Sequence, residues 1–330
     1  MKYFNKNNLN QFITIGFFII LAVYFVNNRD ALKELLSITW WVIALLIVLK
    51  AVRIFITGLF TKFTLDAFDK HMTIRETNYL SLLSSLGNFF GPILGGASIR
   101  AVYLKKWHKF EYSKFISTIY GFYIVSFMAN ALIGLALLGY MRINQGVVDG
   151  MGFVAMVFGV IFFGNLILIV VPPKWLKGVV NRIGVMPKRL RRIILMMSDG
   201  WETMRNNMPL LIKLTLLNFL VFGIVVVESS LLYGQFTQEF TIESVVLYAA
   251  LGAMSTLVSF TPGAIGIKEG IFVFSSSIIA LDSTQIIQMA TIDRSATFIL
   301  LFVTFVLIKI TSLDKKFLES SPDESNIQAK

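Results

Sequence analysis

Long apolar runs separated by short polar stretches divide the chain. Continuous runs occupy 12–26, 38–60, 115–140, 151–173, 209–233 and 285–309. A helix needs about 20 mostly apolar residues, at 1.5 Å each, to cross a hydrocarbon core of about 30 Å. The first run follows Lys2 and Lys6 like a signal peptide, but Asn27, Asn28 and Arg29 come next instead of a small-residue cleavage site. It is therefore expected to stay as a first span. The run 151–173 is stopped by Pro172 and Pro173, and the run 38–60 carries Lys50 and Arg53 inside it.

Two further apolar segments are interrupted. Residues 79–99 contain Gly87, Gly91, Pro92, Gly95 and Gly96, and residues 244–281 contain the break SFTPGAIGIKEG at 259–270. A continuous lipid-facing helix does not hold such a density of breakers, and non-helical backbone at membrane depth is tolerated only where protein buries it or a cavity solvates it. Both segments are predicted to dip into the membrane and return on the same side. Kinks for close helix packing would leave a similar composition. In each break Gly stands four residues after Pro (Pro92 and Gly96, Pro262 and Gly266), and a cation follows, Arg100 in one and Lys268 in the other. The expected fold is all-α: a polytopic transmembrane helical bundle with two broken, re-entrant segments related as an inverted repeat. It forms one membrane domain, 1–313, with a polar cytoplasmic tail, 314–330.

The loop charges orient this arrangement. Segments 61–78, 100–114 and 174–208 are rich in Lys and Arg, whereas 234–243 has none and 141–150 has only Arg142. Basic loops face the cytoplasm, so both termini are expected there, in a prokaryotic cell membrane. Within 174–208, Trp175, Leu176, Val179, Val180 and Ile183 recur at helical spacing, and after Pro187 so do Leu190, Ile193, Ile194, Met197 and Trp201. This predicts a pair of basic amphipathic helices on anionic lipid, or a surface for a partner.

Composition narrows the chemistry. Hydrophobic residues make up 56% and charged residues 15%, far from a soluble domain. The net charge of +11 is then a topology signal and does not imply nucleic acid. With no cysteine, thiolate metal sites and cysteine nucleophiles are excluded, and His71 and His108 both lie in polar stretches. No nucleophile elbow, phosphate-binding loop, dinucleotide fingerprint or zinc-protease motif is present, so no catalytic residue, metal or cofactor is expected.

The charges inside apolar segments stand out against this background, because each costs a few kcal/mol or more at membrane depth. Lys50 and Arg53 lie three apart on one helix face. The other cations are Arg100, Lys268 and Arg294, and the acids are Glu228, Glu269 and Asp293. The cations suit a phosphate-bearing headgroup, with Arg53, Arg100, Lys268 and Arg294 holding it. The acids would bind an amine or exchange with the cations. Glu228, toward the outer end of its run, would meet an amine or reach the interface. Structural ion pairing is the alternative for Lys50 and for Arg53, and also for Asp293 and Arg294 of the last span, pairing across the fold with Lys268 and Glu269 of the second break.

At GNFFGPILGGASIRAVYLKKW (Gly87 to Trp107) and SFTPGAIGIKEGIF (Ser259 to Phe272) the chain resembles the membrane region of bacterial lysylphosphatidylglycerol synthases, a flippase-like integral membrane family. The resemblance in layout covers nearly the whole chain. The family pattern is a Pro-Gly-Gly type loop followed by Arg, a Pro-Gly-x-x-Gly-x-Lys/Arg-Glu loop, and an Arg in the next span. Here these positions read Pro92, Gly95, Gly96 and Arg100, then Pro262, Gly263, Gly266, Lys268 and Glu269, then Arg294. The first loop is the longer Pro-Ile-Leu-Gly-Gly, and Tyr120 and Gly121 stand where the family often has a Glu-Arg pair. The resemblance implies translocation of an anionic or aminoacylated phospholipid, or of a lipid-linked precursor, between leaflets. The cytoplasmic domain that transfers lysine from charged tRNA in two-part members is expected to be absent. The rival reading is a non-catalytic accessory protein of a separate lipid-modifying synthase. The partners implied are membrane lipids and such a synthase.

Overall fold

The computed structural model describes residues 38–90, 95–182, 186–237, 240–258 and 266–310. The expected first span 12–26, Pro92, Pro262, Gly263 and the tail 314–330 lie outside the described residues. Within them the chain forms helices α1 (Trp40–Asp66), α2 (Ile74–Phe90), α3 (Gly95–His108), α4 (Tyr112–Asn144), α5 (Met151–Val170), α6 (Pro173–Arg182), α7 (Lys188–Arg205), α8 (Met208–Phe236), α9 (Ile242–Ser255), α10 (Ile267–Phe274), α11 (Ser276–Ile279) and α12 (Ser283–Ile310), and no strand. A short 3-10 turn, Thr256–Val258, follows α9.

Five of these helices, α1, α4, α5, α8 and α12, are long and apolar enough to cross a membrane, and they coincide with the predicted runs from 38 onward. The all-α, polytopic bundle is the observed fold. Helix α4 is the most buried of the five and α5 the least. The reason is position: α4 packs against α5, α7, α8 and α9, leaving α5 on the outside. Apolar side chains that point inward form one large cluster, with Leu46 of α1, Ala131 and Leu138 of α4, Phe158 of α5, Tyr248 of α9 and Met289 of α12. A second cluster joins Phe60 of α1 and Ile124 of α4 to Trp201 and Met204 of α7 and Leu214 of α8. Such clusters fix helix positions by packing, since lipid supplies little hydrophobic drive between helices.

Both interrupted segments fold back on themselves. In the first, α2 and α3 run antiparallel: a Cβ on Gly87 would sit 2.9 Å from the Gly95 carbonyl carbon and the Gly96 nitrogen. Nearer the base, Glu76 reaches His108. The Asn88 side chain accepts the Gly96 N–H at 2.9 Å, satisfying a backbone donor at the start of α3. Small residues are required here because any side chain on Gly96 would strike the Ser84 carbonyl and Asn88. In the second, α9 and α10 are also antiparallel, with the rings of Tyr248 and Phe272 stacked at 4.0 Å and Gly252 facing Phe272 and Lys268. Gly266, at φ +83°, opens α10 in a left-handed conformation that glycine adopts without strain.

The amphipathic stretch forms α6 and α7, as its periodicity predicts, yet the Trp201 end of the apolar face lies on protein. Trp201 and Met204 are buried against Gly121 of α4, and Gly200 meets Ser117. The small residues let α7 approach closely, and the Trp201 indole donates to the Leu168 carbonyl at 3.0 Å. Lys177 ties α6 to α7 through Asp199 at 2.5 Å and Glu202 at 3.0 Å. Their hydrogen bonds hold its ammonium above the ordinary lysine range. Trp175 remains exposed on α6.

Candidate functional site

Four elements bring charged side chains together in the middle of the bundle. Helix α1 contributes Lys50 and Arg53, and Arg53 stands at the midpoint of its 27 residues. Helix α8 contributes Glu228, α10 contributes Lys268 and Glu269, and α12 contributes Asp293 and Arg294. Spacing explains the first pair, since residues three apart share a helix face. Adjacency explains the last two, since consecutive helical residues point about 100° apart and so reach different neighbours.

The charges alternate in a chain. Arg53 Nη1 donates to Glu228 Oε2 at 2.9 Å, the same oxygen lies 3.9 Å from Lys50 Nζ, and Lys50 donates to Asp293 Oδ1 at 2.5 Å. Asp293 Oδ2 then lies 3.7 Å from Lys268 Nζ. Beside this row, Arg294 Nη2 lies 2.5 Å from Glu269 Oε1 without the alignment of a hydrogen bond. The other oxygen of Glu269 accepts the Gly266 N–H at 2.7 Å, so this carboxylate caps α10 while it neutralises Arg294.

Lys50 and Glu228 are the deeply buried members of the row, while Arg53, Lys268 and Asp293 are partly exposed. The side chains of Lys50 and Glu228 are 2% and 4% exposed, whereas those of Arg53 and Lys268 are 32% and 27% exposed. Lys50 does not snorkel. Glu228 turns inward to Arg53, away from the interface, because a buried carboxylate without a cation would bear the full desolvation cost. Among the described residues its Oε1 has no hydrogen-bond partner. Asp293 is the short partner of Lys50 and thereby holds α12 to α1.

Seven of the eight headgroup residues proposed from sequence are thus assembled in one place. The eighth, Arg100, is set apart on α3, where its Nε donates to Ser84 Oγ at 3.4 Å. Among the described residues no carboxylate forms an ion pair with it. Gly95 and Gly96 begin α3 and Gly266 caps α10, as broken-helix residues should. Sequence reading did not single out Tyr248, whose ring lies on Phe272 one turn beyond Lys268, nor Ser84 and Asn88, which serve the first hairpin. Tyrosine, serine and asparagine inside apolar segments were the only signal for them. A second polar group, also unforeseen, links Glu76 Oε1 to His108 Nε2 at 2.6 Å and to Tyr103 OH at 3.0 Å. Burial works upward on Glu76, but His108 and Tyr103 outweigh it and hold the carboxyl below its ordinary range.

No group of three or more potential metal ligands is assembled among the described residues. An open cavity of about 480 Å³ lies elsewhere, between the α3–α4 junction and α7, lined by residues such as Lys105, Lys109 and Arg192. None of the seven charged residues borders it.

No curated protein and no solved structure matches the chain. Residues 11–304 match the family described as the lysylphosphatidylglycerol synthase TM region. That stretch takes in all seven charged residues of the site and both hairpins, and the chain belongs to this lysylphosphatidylglycerol synthase membrane-region family.

Proposed function

We propose that the protein moves a phosphate-bearing membrane lipid, either an anionic or aminoacylated phospholipid or a lipid-linked precursor, between the leaflets of its membrane. The observation that carries this reading is the cluster of seven charges inside the helical bundle, five in an alternating row and two in a pair beside it. Ion pairs are a poor way to stabilise an apolar interior, since packed apolar residues do as well or better. Charges kept there mark sites that handle polar cargo.

The chemistry is exchange of partners. A headgroup phosphate arriving at Arg53 or Lys268 offers these cations oxygens equivalent to those of Glu228 and Asp293. Releasing one carboxylate while gaining one phosphate keeps the cations compensated, and a released Glu228 or Asp293 keeps Lys50 as its partner. Glu228, Glu269 and Asp293, once released, are free to receive an amine on the cargo. Arg100, on the first hairpin beside Ser84, provides a cation at a separate point along the path of the headgroup. In this proposal the two hairpins are related as an inverted repeat, one entering from each side of the membrane. The lipid distribution or an ion gradient drives the movement.

Reconstitution into proteoliposomes with fluorescent or spin-labelled lipids tests this directly. Wild-type protein is expected to move at least one phosphate-bearing lipid, and Arg100→Ala and Glu269→Gln to lose that movement. Absence of movement for every lipid offered to folded protein refutes the transporter reading and favours an accessory role beside a separate synthase.

A further inference from the structure

We infer that the cavity between the α3–α4 junction and α7 is a second binding site, taking the phosphate of an anionic membrane lipid at headgroup depth. It is separate from the charged row and does not depend on the transporter reading.

The cavity, about 480 Å³, gathers cations from three places in the chain: Lys105 from the last turn of α3, Lys109 from the turn that follows, and Arg192 from α7. All three are exposed, and among the described residues none of them forms an ion pair. The Lys105 ammonium rests over the Tyr112 ring, 4.3 Å from its centroid, a contact that leaves its charge unneutralised. Glu111 also lines the wall, and its Oε2 accepts from Ser113 Oγ at 3.3 Å. The Phe110 N–H donates to the Leu104 carbonyl at 3.1 Å, closing the tight turn in which Lys109 stands at φ +51°. Cations that converge from separate elements on one concavity suit a phosphate, whose oxygens accept charge-assisted hydrogen bonds in several directions.

Depth favours a lipid over a soluble phosphate. Helix α4 has 33 residues, about 50 Å at 1.5 Å each, and a hydrocarbon core is about 30 Å thick, so its first turn lies among headgroups. Tyr112 and Ile116, one turn apart at that end, are exposed, as residues at a lipid boundary are. The cavity wall is mixed in the same sense: Phe110, 2% exposed, and Met196 give it an apolar side next to the cations. A free phosphate makes no use of that side, whereas the glycerol and acyl carbons of a lipid do. A phosphate held by Lys105, Lys109 and Arg192 also joins the first hairpin to α7.

Photo-crosslinking of the full chain in phosphatidylcholine nanodiscs, doped with a phosphatidylglycerol that is photoreactive near its headgroup, tests this. Label is expected in the peptides covering 105–113 and 188–196, and unlabelled phosphatidylglycerol is expected to compete it away where added phosphatidylcholine does not. Lys109→Gln/Arg192→Gln alters two exposed side chains, so the fold is retained, checked by melting temperature. It should lower the label at least about tenfold, the ratio for about 1.4 kcal/mol. Lys106→Gln/Lys114→Gln removes the same charge from exposed positions outside the cavity and should lower it less than about threefold. General attraction to a basic surface weighs neighbouring Lys and Arg alike, so an equal fall in both double variants overturns the site. Competition by phosphatidylcholine as effective as that by phosphatidylglycerol overturns it too. Displacement of the label by millimolar inorganic phosphate overturns the lipid assignment in favour of a soluble phosphate ligand.

Discussion

Asp293→Asn is expected to destabilise the protein strongly, and more than Lys50→Met. Lys50 is almost wholly buried and Asp293 is its one close partner at 2.5 Å, with Glu228 a weak second at 3.9 Å. Removing the partner of a buried ion costs about 3–5 kcal/mol, because the remaining charge keeps its desolvation penalty. Lys50→Met acts on the same contact from the other side with a smaller cost. Asp293 keeps Lys268 at 3.7 Å, Glu228 keeps Arg53 at 2.9 Å, and methionine fills the vacated stem volume. The double variant Lys50→Met/Asp293→Asn orphans no deeply buried charge and should recover much of the loss, with a coupling energy of about 2–3 kcal/mol. At about 2 °C per kcal/mol for a chain of this size, Asp293→Asn should lower the melting temperature by about 6–10 °C. Thermal unfolding in detergent or nanodiscs, read by intrinsic tryptophan fluorescence or by size exclusion after heating, measures all three variants side by side. The reasoning is refuted if Lys50→Met is as damaging as Asp293→Asn, or if the double variant loses the sum of the two singles.

Four further outcomes follow from other parts of the structure. Gly96→Val places a side chain against the Ser84 carbonyl and Asn88, and is expected to part α2 from α3; rapid proteolysis between residues 74 and 108 would report it, and wild-type resistance would count against the hairpin contact. Gly121→Leu collides with Met204 and Trp201 and should lift α7 from α4, seen as a red shift in tryptophan emission relative to wild type. Asn207 caps α8 by accepting the Leu210 N–H at 3.0 Å, so Asn207→Ala should cost about 1 kcal/mol, measured as a small drop in melting temperature. Glu76 has a lowered carboxyl value in the fold, so its pairing with His108 and Tyr103 stabilises above the ordinary carboxylate range and is lost as pH falls through the lowered value. Glu76→Gln should therefore narrow the difference in melting temperature between pH 7 and pH 3, and an unaltered difference would exclude Glu76 as a contributor.

Much of the architecture could be read from the runs of apolar residues, because length and hydropathy alone decide whether a helix can cross a membrane. The broken segments were legible too: Gly87, Gly95 and Gly96 mark a place where two backbones must touch. The face shared by Lys50 and Arg53 followed from a spacing of three. Their partners did not, since Glu228 and Asp293 lie far along the chain and only tertiary packing selects them from the available acids. Arg100 shows the same limit in reverse. Its place after the first break suggested company with Lys268 and Arg294, yet the first hairpin keeps it beside Ser84. The Trp201 face of α7 looked suited to lipid because amphipathic periodicity is the same whether the apolar side meets lipid or protein. What decides between them is the pair of small positions on α4, Ser117 and Gly121, whose relevance appears only once the helices are side by side.

The adjacency of Asp293 and Arg294 has a mechanical consequence. Helix α12 is moored at two points about 100° apart around its circumference, one line running to Lys50 on α1 and the other to Glu269 on α10. A rod held by a single mooring can swivel; held by two in different directions, it cannot turn without slackening one line and tightening the other. Because Glu269 also fastens the first turn of α10 at Gly266, any swivel of α12 pulls on the entrance of the second hairpin. Slippage at one mooring is thus felt at the other, and α1, α10 and α12 move as a linkage with very few independent freedoms.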